Sequence, residues 1–183
     1  MSICVALNAG NGVWIGSDTM AVNCSVKEHI GKKWVQCGRF WIGICGQVRA
    51  HNLVAAKSFM ISNLSTVEEI VEALREMLLA DKWKTEDDVG QPPRFKSEFI
   101  VTDGDRIVSV GGGFGFIDCV SFAAIGAGTE AALGAYHALS GSWPAKAIEI
   151  LVERMLAAAI EINHNCGGEP WTFFVPKAET QDG

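Results

Sequence analysis

The chain has 183 residues, of which 49% are hydrophobic and 20% charged, and it carries a formal net charge of −6 at pH 7. Length and composition describe one globular domain, 1–183, with a substantial core. The acidic balance, with no basic run beyond Lys32 and Lys33, argues against a nucleic-acid partner, because phosphate neutralisation needs clustered Lys and Arg.

The chain opens on a short apolar run, Ile3-Cys4-Val5-Ala6-Leu7, and a second run, Val13-Trp14-Ile15-Gly16-Ser17, follows Asn11-Gly12. Asn-Gly tolerates positive φ, so the pattern predicts a β-hairpin. Residues 18–31 read as a polar loop. Strands are expected over 33–37 and 39–45, with the turn at Gly38, and a helix from Gln47 to about residue 63. A second helix begins at Ser65 or Thr66. Each is followed three residues later by a glutamate, Glu68 or Glu69, the capping-box spacing. Val67, Ile70, Val71, Leu74, Met77 and Leu78 then recur with the helical period.

Residues 81–93 read as a surface loop, and 99–102 and 106–110 as a hairpin turning at Asp103-Gly104. The glycine-rich stretch 111–115 lacks the Gly-Lys-Ser/Thr ending of a phosphate loop and opens no helix, so it reads as a turn. A strand over 120–125 leads to Gly126-Ala127-Gly128 and a helix over 129–139. Ser142 is expected to cap another helix, with Ile148, Leu151, Val152, Met155, Ala159 and Ile162 as its apolar stripe. A last strand covers 171–175. Paired helices separated by antiparallel hairpins exclude a doubly wound parallel sheet. They fit an α+β, four-layer αββα sandwich, two stacked antiparallel sheets with helices on each outer side.

No stretch of about 18 or more residues is free of charge and turn residues, so no membrane span is expected. Residues 1–7 are apolar but lack a basic flank, so no signal peptide is expected either. Six cysteines, Cys4, Cys24, Cys37, Cys45, Cys119 and Cys166, show no CxxC spacing. They read as small buried hydrophobes of a reducing cytoplasm, with neither a zinc site nor a disulfide framework, and no metal or cofactor is expected.

Removal of the initiator methionine would leave Ser2 at the head of a strand. A terminal serine carries its own general base, because a free α-amino group has a pKa of about 7.7–8.0. The stretch 2–18 resembles, without a gap, the N-terminal hairpin of mature proteasome β-subunits and the HslV-type peptidase, through Val5-Ala6-Leu7, Gly12-Val13 and Gly16-Ser17-Asp18. Lys32-Lys33-Trp34 occupies the place of the family's Lys-Lys-Val motif. Cys45-Gly46-Gln47 resembles its Ala-Gly-Gly segment, and 124–128 its Ile-Gly-Ser-Gly stretch.

The resemblance implies an N-terminal nucleophile hydrolase fold and peptide-bond hydrolysis. Ser2 would be the nucleophile, Lys33 a cation beside it that lowers the pKa of Ser2 or relays its proton, Asp18 the group orienting Lys33, and Gly46 the oxyanion donor. Ile44 and Val48 would flank the first substrate pocket. It further implies a homo-oligomer of stacked rings, a polypeptide substrate and room for an ATP-dependent unfoldase as partner.

The sequence departs from the family pattern at Ser2, where threonine is usual, and at Ala127, where a supporting serine is usual. Asn163 and Cys166 stand in place of an Asp and Ser pair, and His164 is a candidate substitute for them. These departures motivate an alternative, an inactive ring that binds or scaffolds partners. A small-molecule amidase on the same scaffold is a third reading.

Overall fold

The computed structural model describes residues 2–23, 26–29, 31–81, 95–142 and 147–178. Two antiparallel sheets lie face to face. The first contains β1 (Ile3–Asn8), β2 (Gly12–Ser17), β10 (Phe122–Gly126) and β11 (Trp171–Pro176) in the order β10-β1-β2-β11. The second contains β5 (Trp34–Cys37), β6 (Phe40–Cys45), β7 (Glu98–Thr102), β8 (Ile107–Val110) and β9 (Phe116–Asp118), in chain order. Helices α1 (Val48–Ala56), α2 (Ser58–Ile61) and α3 (Val67–Ala80) belong to the second sheet's side. Helices α4 (Thr129–Leu139) and α5 (Ile148–Ile162) belong to the first.

Three apolar layers follow from strand alternation. Ile3, Val5 and Leu7 of β1 face Leu151, Val152, Met155 and Leu156 of α5. Cys4 and Ala6, pointing the other way, meet Trp34, Trp41 and Ile100 between the sheets. Phe40, Ile42 and Phe99 pack beneath Val54, Ile70 and Leu74 of the outer helices. The expected four-layer αββα architecture is therefore present. A β1 buried on both faces explains why its sequence is an unbroken apolar run instead of an alternating one.

The helix expected over 47–63 is broken: its backbone leaves helical geometry at Lys57 (φ −106°, ψ 11°), dividing it into α1 and α2. The expected polar loop 18–31 contains a two-stranded ribbon, β3 (Met20–Asn23) paired with β4 (Val26–His29). The sequence Val26-Lys27-Glu28-His29 has no apolar alternation, so only backbone pairing reveals that strand. Strand β9 was likewise hidden. Its three side chains are all exposed, and it pairs with β8, while Arg106 binds Asp118 at 2.9 Å.

Ser142 is not the N-cap of α5: it closes a short 3-10 turn, Ser140–Ser142, and α5 starts at Ile148 with Ala147 at its N-cap and no side-chain cap. Residues 82–94, most of the expected surface loop, lie outside the described residues, as do Met1 and Cys24. Among the described residues no helix is long and apolar enough to cross a membrane.

Helix α3 starts where its capping box predicts. Thr66 Oγ1 accepts from the Glu69 N–H (3.2 Å), and Glu69 Oε2 accepts from the Thr66 N–H (3.1 Å). Replacing Thr66 by alanine should lower stability by about 1 kcal/mol. This is measurable as a shift in urea midpoint at constant slope.

Candidate active site

The site is built around Asp18, which follows the last residue of β2 and has no solvent exposure. Its Oδ1 accepts from the Ile3 N–H at 3.0 Å and from Lys33 Nζ at 2.6 Å, and its Oδ2 accepts from the Gly167 N–H at 3.1 Å. The Asp18 N–H in turn donates to the Ile3 carbonyl at 3.3 Å. One carboxylate therefore ties together the start of β1, the approach to β5 and the turn after α5.

Lys33 is 3% exposed, and its three ammonium donors all have oxygen acceptors. Besides Asp18 Oδ1 they reach the Asp18 carbonyl (2.9 Å) and the Met20 carbonyl (2.6 Å). Its backbone is fixed as well, with the N–H donating to Ser17 Oγ at 3.2 Å and the carbonyl accepting from Ile44 at 3.0 Å.

Ser2 precedes Ile3 and is 6% exposed. It lies on a cleft of about 380 Å³ shared with Cys45 and Gly46. Phe95, Lys96, Ser97 and Glu98 form one wall of that cleft, and Gly126 and Ala127 the other. The structure thus joins Asp18 and Lys33 directly, links Ser2 to them through the Ile3 peptide, and places Gly46 on the same cleft as Ser2.

Gly46 has φ +123°, where L side chains are strained, and a β-carbon there would strike the Lys96 carbonyl. Gly126 packs equally tightly against the Ser2 carbonyl. Both cleft walls are pinned. Ser97 Oγ accepts from the Gln47 N–H (3.3 Å), Glu98 Oε2 from the Gly126 N–H (3.0 Å), and the Ala127 carbonyl from Asn163 Nδ2 (2.5 Å).

Ile44 and Val48 do not line this cleft. Ile44 is 4% exposed in the core beneath the outer helices, and Val48 faces solvent in the first turn of α1. Strand alternation explains Ile44, because its neighbour Cys45 takes the opposite face. His164 is exposed, and the turn it belongs to reaches the site through Asn163 and Gly167.

Two thiols near the ion pair, Cys45 and Cys166, do not compete as nucleophiles. Burial and a hydrogen bond with Cys4 push the Cys45 thiol well above its ordinary range, and its Sγ donates to the Ile125 carbonyl at 3.3 Å. Burial, assisted by Asp18, raises Cys166 to about 11. Such groups are protonated at neutral pH and unreactive. Among the described residues no cluster of three or more His, Cys, Asp or Glu side chains is placed to hold a metal ion.

Sequence reasoning passed over His51, Ser97 and Glu98. No motif marks them; a single signal, the buried-exposed alternation of 95–98, becomes visible only in the structure.

No family model and no curated protein matches the chain. Solved structures do. BPH of Thiobacillus denitrificans superposes with a TM-score of 0.78 at 20% identity, covering 97% of this chain and 99% of that one. Its complex with epoxomicin gives 0.77 at 20% identity, covering 95% and 98%. Anbu, an ancestral β-subunit from Yersinia bercovieri, gives 0.72 at 15% identity, covering 95% and 81%. The fold is that of the proteasome-like N-terminal nucleophile hydrolases. At these identities the likeness concerns the N-terminal nucleophile fold and not its chemistry.

Two predictions follow from the buried pair and its neighbour. Lys33→Met leaves the Asp18 carboxylate buried and unpaired. It should cost about 3–5 kcal/mol in urea unfolding. His51 is half-buried near Lys33, and desolvation first, then the Lys33 charge, lower its pKa from 6.5, opposed by the Asn52 side chain and the Lys32 carbonyl. The unfolded chain therefore binds the proton more readily, so His51's share of the stability is held above pH 6.5 and lost as pH falls below it. Urea midpoints at pH 7.5 and 5.5 should differ less in His51→Gln than in the unsubstituted protein.

Proposed function

We propose that the chain hydrolyses peptide bonds with Ser2 as an N-terminal nucleophile, once Met1 has been removed. The observation that carries this reading is the double grip of Asp18. It holds the peptide next to Ser2 and the Lys33 ammonium at the same oxygen.

In this mechanism Ser2 Oγ attacks the substrate carbonyl carbon and its proton passes to the α-amino group of the same residue. The Gly46 N–H donates to the resulting oxyanion. Such preorganised donors contribute about 2.7–4 kcal/mol in comparable sites. The tetrahedral intermediate collapses, the C–N bond breaks, and the departing amine takes the proton from the α-ammonium. Water then attacks the acyl ester. Its proton is taken by the α-amine and returned to Ser2 Oγ, releasing the acid.

Lys33 acts as a fixed positive charge here, because its three donors are already directed at oxygens. The division of labour leaves the amine, with its pKa of about 7.7–8.0, as the base.

A homo-oligomeric ring in the cytoplasm, fed with polypeptide and open to an ATP-dependent unfoldase, belongs to the same proposal. Phe59 and Met60 on α2 are 79% and 67% exposed, an apolar pair suited to contact with another copy. BPH was captured with epoxomicin, and its likeness in fold makes an epoxyketone a reasonable probe.

Protein beginning at Ser2 should cleave short fluorogenic peptides and take an epoxyketone covalently at Ser2, located by peptide mass mapping. Ser2→Ala should lose labelling and lower turnover by at least about a thousandfold. Retention of Met1 should have the same effect, since the amine is then a peptide nitrogen. Full turnover in either form refutes the mechanism.

A further inference from the structure

The cleft beside Ser2 is largely apolar, with Cys45, Phe95, Gly112, Gly126 and Ala127 on its walls, yet it contains one oriented carboxylate. Segment 95–98 is extended chain: Phe95 and Ser97 are buried, whereas Lys96 and Glu98 are exposed, the two-residue alternation of a strand. Glu98, on the exposed set, lines the cleft. Its Oε2 is fixed by the Gly126 N–H at 3.0 Å, across from its own sheet and against the Ser2 carbonyl's neighbour. That bond aims the carboxylate and leaves the acceptor capacity of Oε1 for a ligand. Lys96 lies two positions earlier along the same wall, about 6–7 Å in an extended chain. Attraction is confined to a side chain that reaches Glu98.

We propose that Glu98 is a specificity-determining residue that favours substrates carrying a lysine or arginine side chain within two residues of the scissile bond. This rests on the peptidase reading above. Glu98 is solvent-exposed, so the preference is modest: about fivefold, the upper range for an exposed ion pair. It weakens with added salt.

The test uses protein beginning at Ser2 and matched fluorogenic peptides in which a single Lys, Leu or Glu is moved through the two positions on each side of the cut. At one position, kcat/KM should favour Lys over Glu by about fivefold. Glu98→Gln keeps an acceptor for the Gly126 N–H, so it should abolish that preference without moving the urea midpoint; Glu98→Lys should reverse it. The same ranking in Glu98→Gln, or no charge preference anywhere in the unsubstituted protein, overturns the assignment.

A second arm separates this outcome from failure of the peptidase reading. Fluorophore-labelled Lys and Glu peptides are titrated by anisotropy into Ser2→Ala protein, with and without Glu98→Gln. If no peptide is cleaved, the peptidase reading fails. Binding still judges Glu98: a Lys preference lost in the double variant supports it, and equal binding of both peptides overturns it.

Discussion

A carboxylate with no access to water is expensive, and Asp18 is tolerated because every direction around it is filled by a donor. Desolvating a carboxylate and an ammonium costs on the order of several kcal/mol per ion, which a single Coulombic contact rarely recovers. Here Oδ1 receives both a backbone N–H and the Lys33 ammonium, and Oδ2 receives the Gly167 N–H. The Lys33 ammonium is matched in the same way by three oxygens. The arrangement makes poor sense as a device for stability alone, since apolar residues of similar volume would serve as well. It makes better sense as a fixed reference point. The beginning of β1, the segment before β5 and the turn after α5 come from distant parts of the chain, and all are located relative to one carboxylate.

Glycine does the complementary work. Where Asp18 draws backbone segments in, Gly46 and Gly126 let them come closer than a side chain would allow, against the Lys96 and Ser2 carbonyls respectively. Gly46 also requires a positive φ, so two constraints act on one residue. The result is a cleft with backbone close to Ser2 on both sides. Its rims are tied by Ser97, Glu98 and Asn163 instead of being left to loop packing. Asn163 is instructive. The sequence comparison treats it as a loss, a neutral amide in place of an acid, yet its Nδ2 donates to the Ala127 carbonyl and so holds the wall where a supporting serine is usual.

What the sequence reveals divides along the range of the interaction. The α3 capping box and the β1-β2 hairpin turn are local patterns and recur within a residue or two of where they were expected; the α5 stripe recurs at Leu151, Val152, Met155 and Ala159, whereas Ile162 is exposed because it ends the helix. The order of these elements was enough for the four-layer plan. Strands β4 and β9 were not legible: the sequence of β4 has no apolar alternation, all three residues of β9 are exposed, and each pairs with a neighbour. The same limit applies to the site. Ser2, Asp18, Lys33 and Gly46 are candidates because the stretches around them resemble proteasome-like motifs, and the structure joins Asp18 directly to Lys33 and to the Ile3 N–H. Glu98 acts through a contact 28 residues away in sequence, and no spacing rule reaches that far. Ile44 lies in the layer beneath the outer helices, because strand alternation sends it to the face opposite its neighbour Cys45.

The saturation of Lys33 bears on how activity would be controlled. An ammonium with three donors committed to oxygens has no lone pair to receive the Ser2 proton, and freeing one would mean giving up contacts that hold a buried charge. In the proposed mechanism the proton therefore has one practical destination, the α-amine. That amine exists only after Met1 is cleaved. The Ile3 N–H and carbonyl are already engaged by Asp18, so the position of residue 2 is set by bonds that do not involve its amine. On that proposal, fold assembly and catalytic competence are separable: the bonds that hold Asp18 and Lys33 do not involve the α-amine. Activation then requires no rearrangement of the buried pair, only the exposure of a base where the nucleophile is already held.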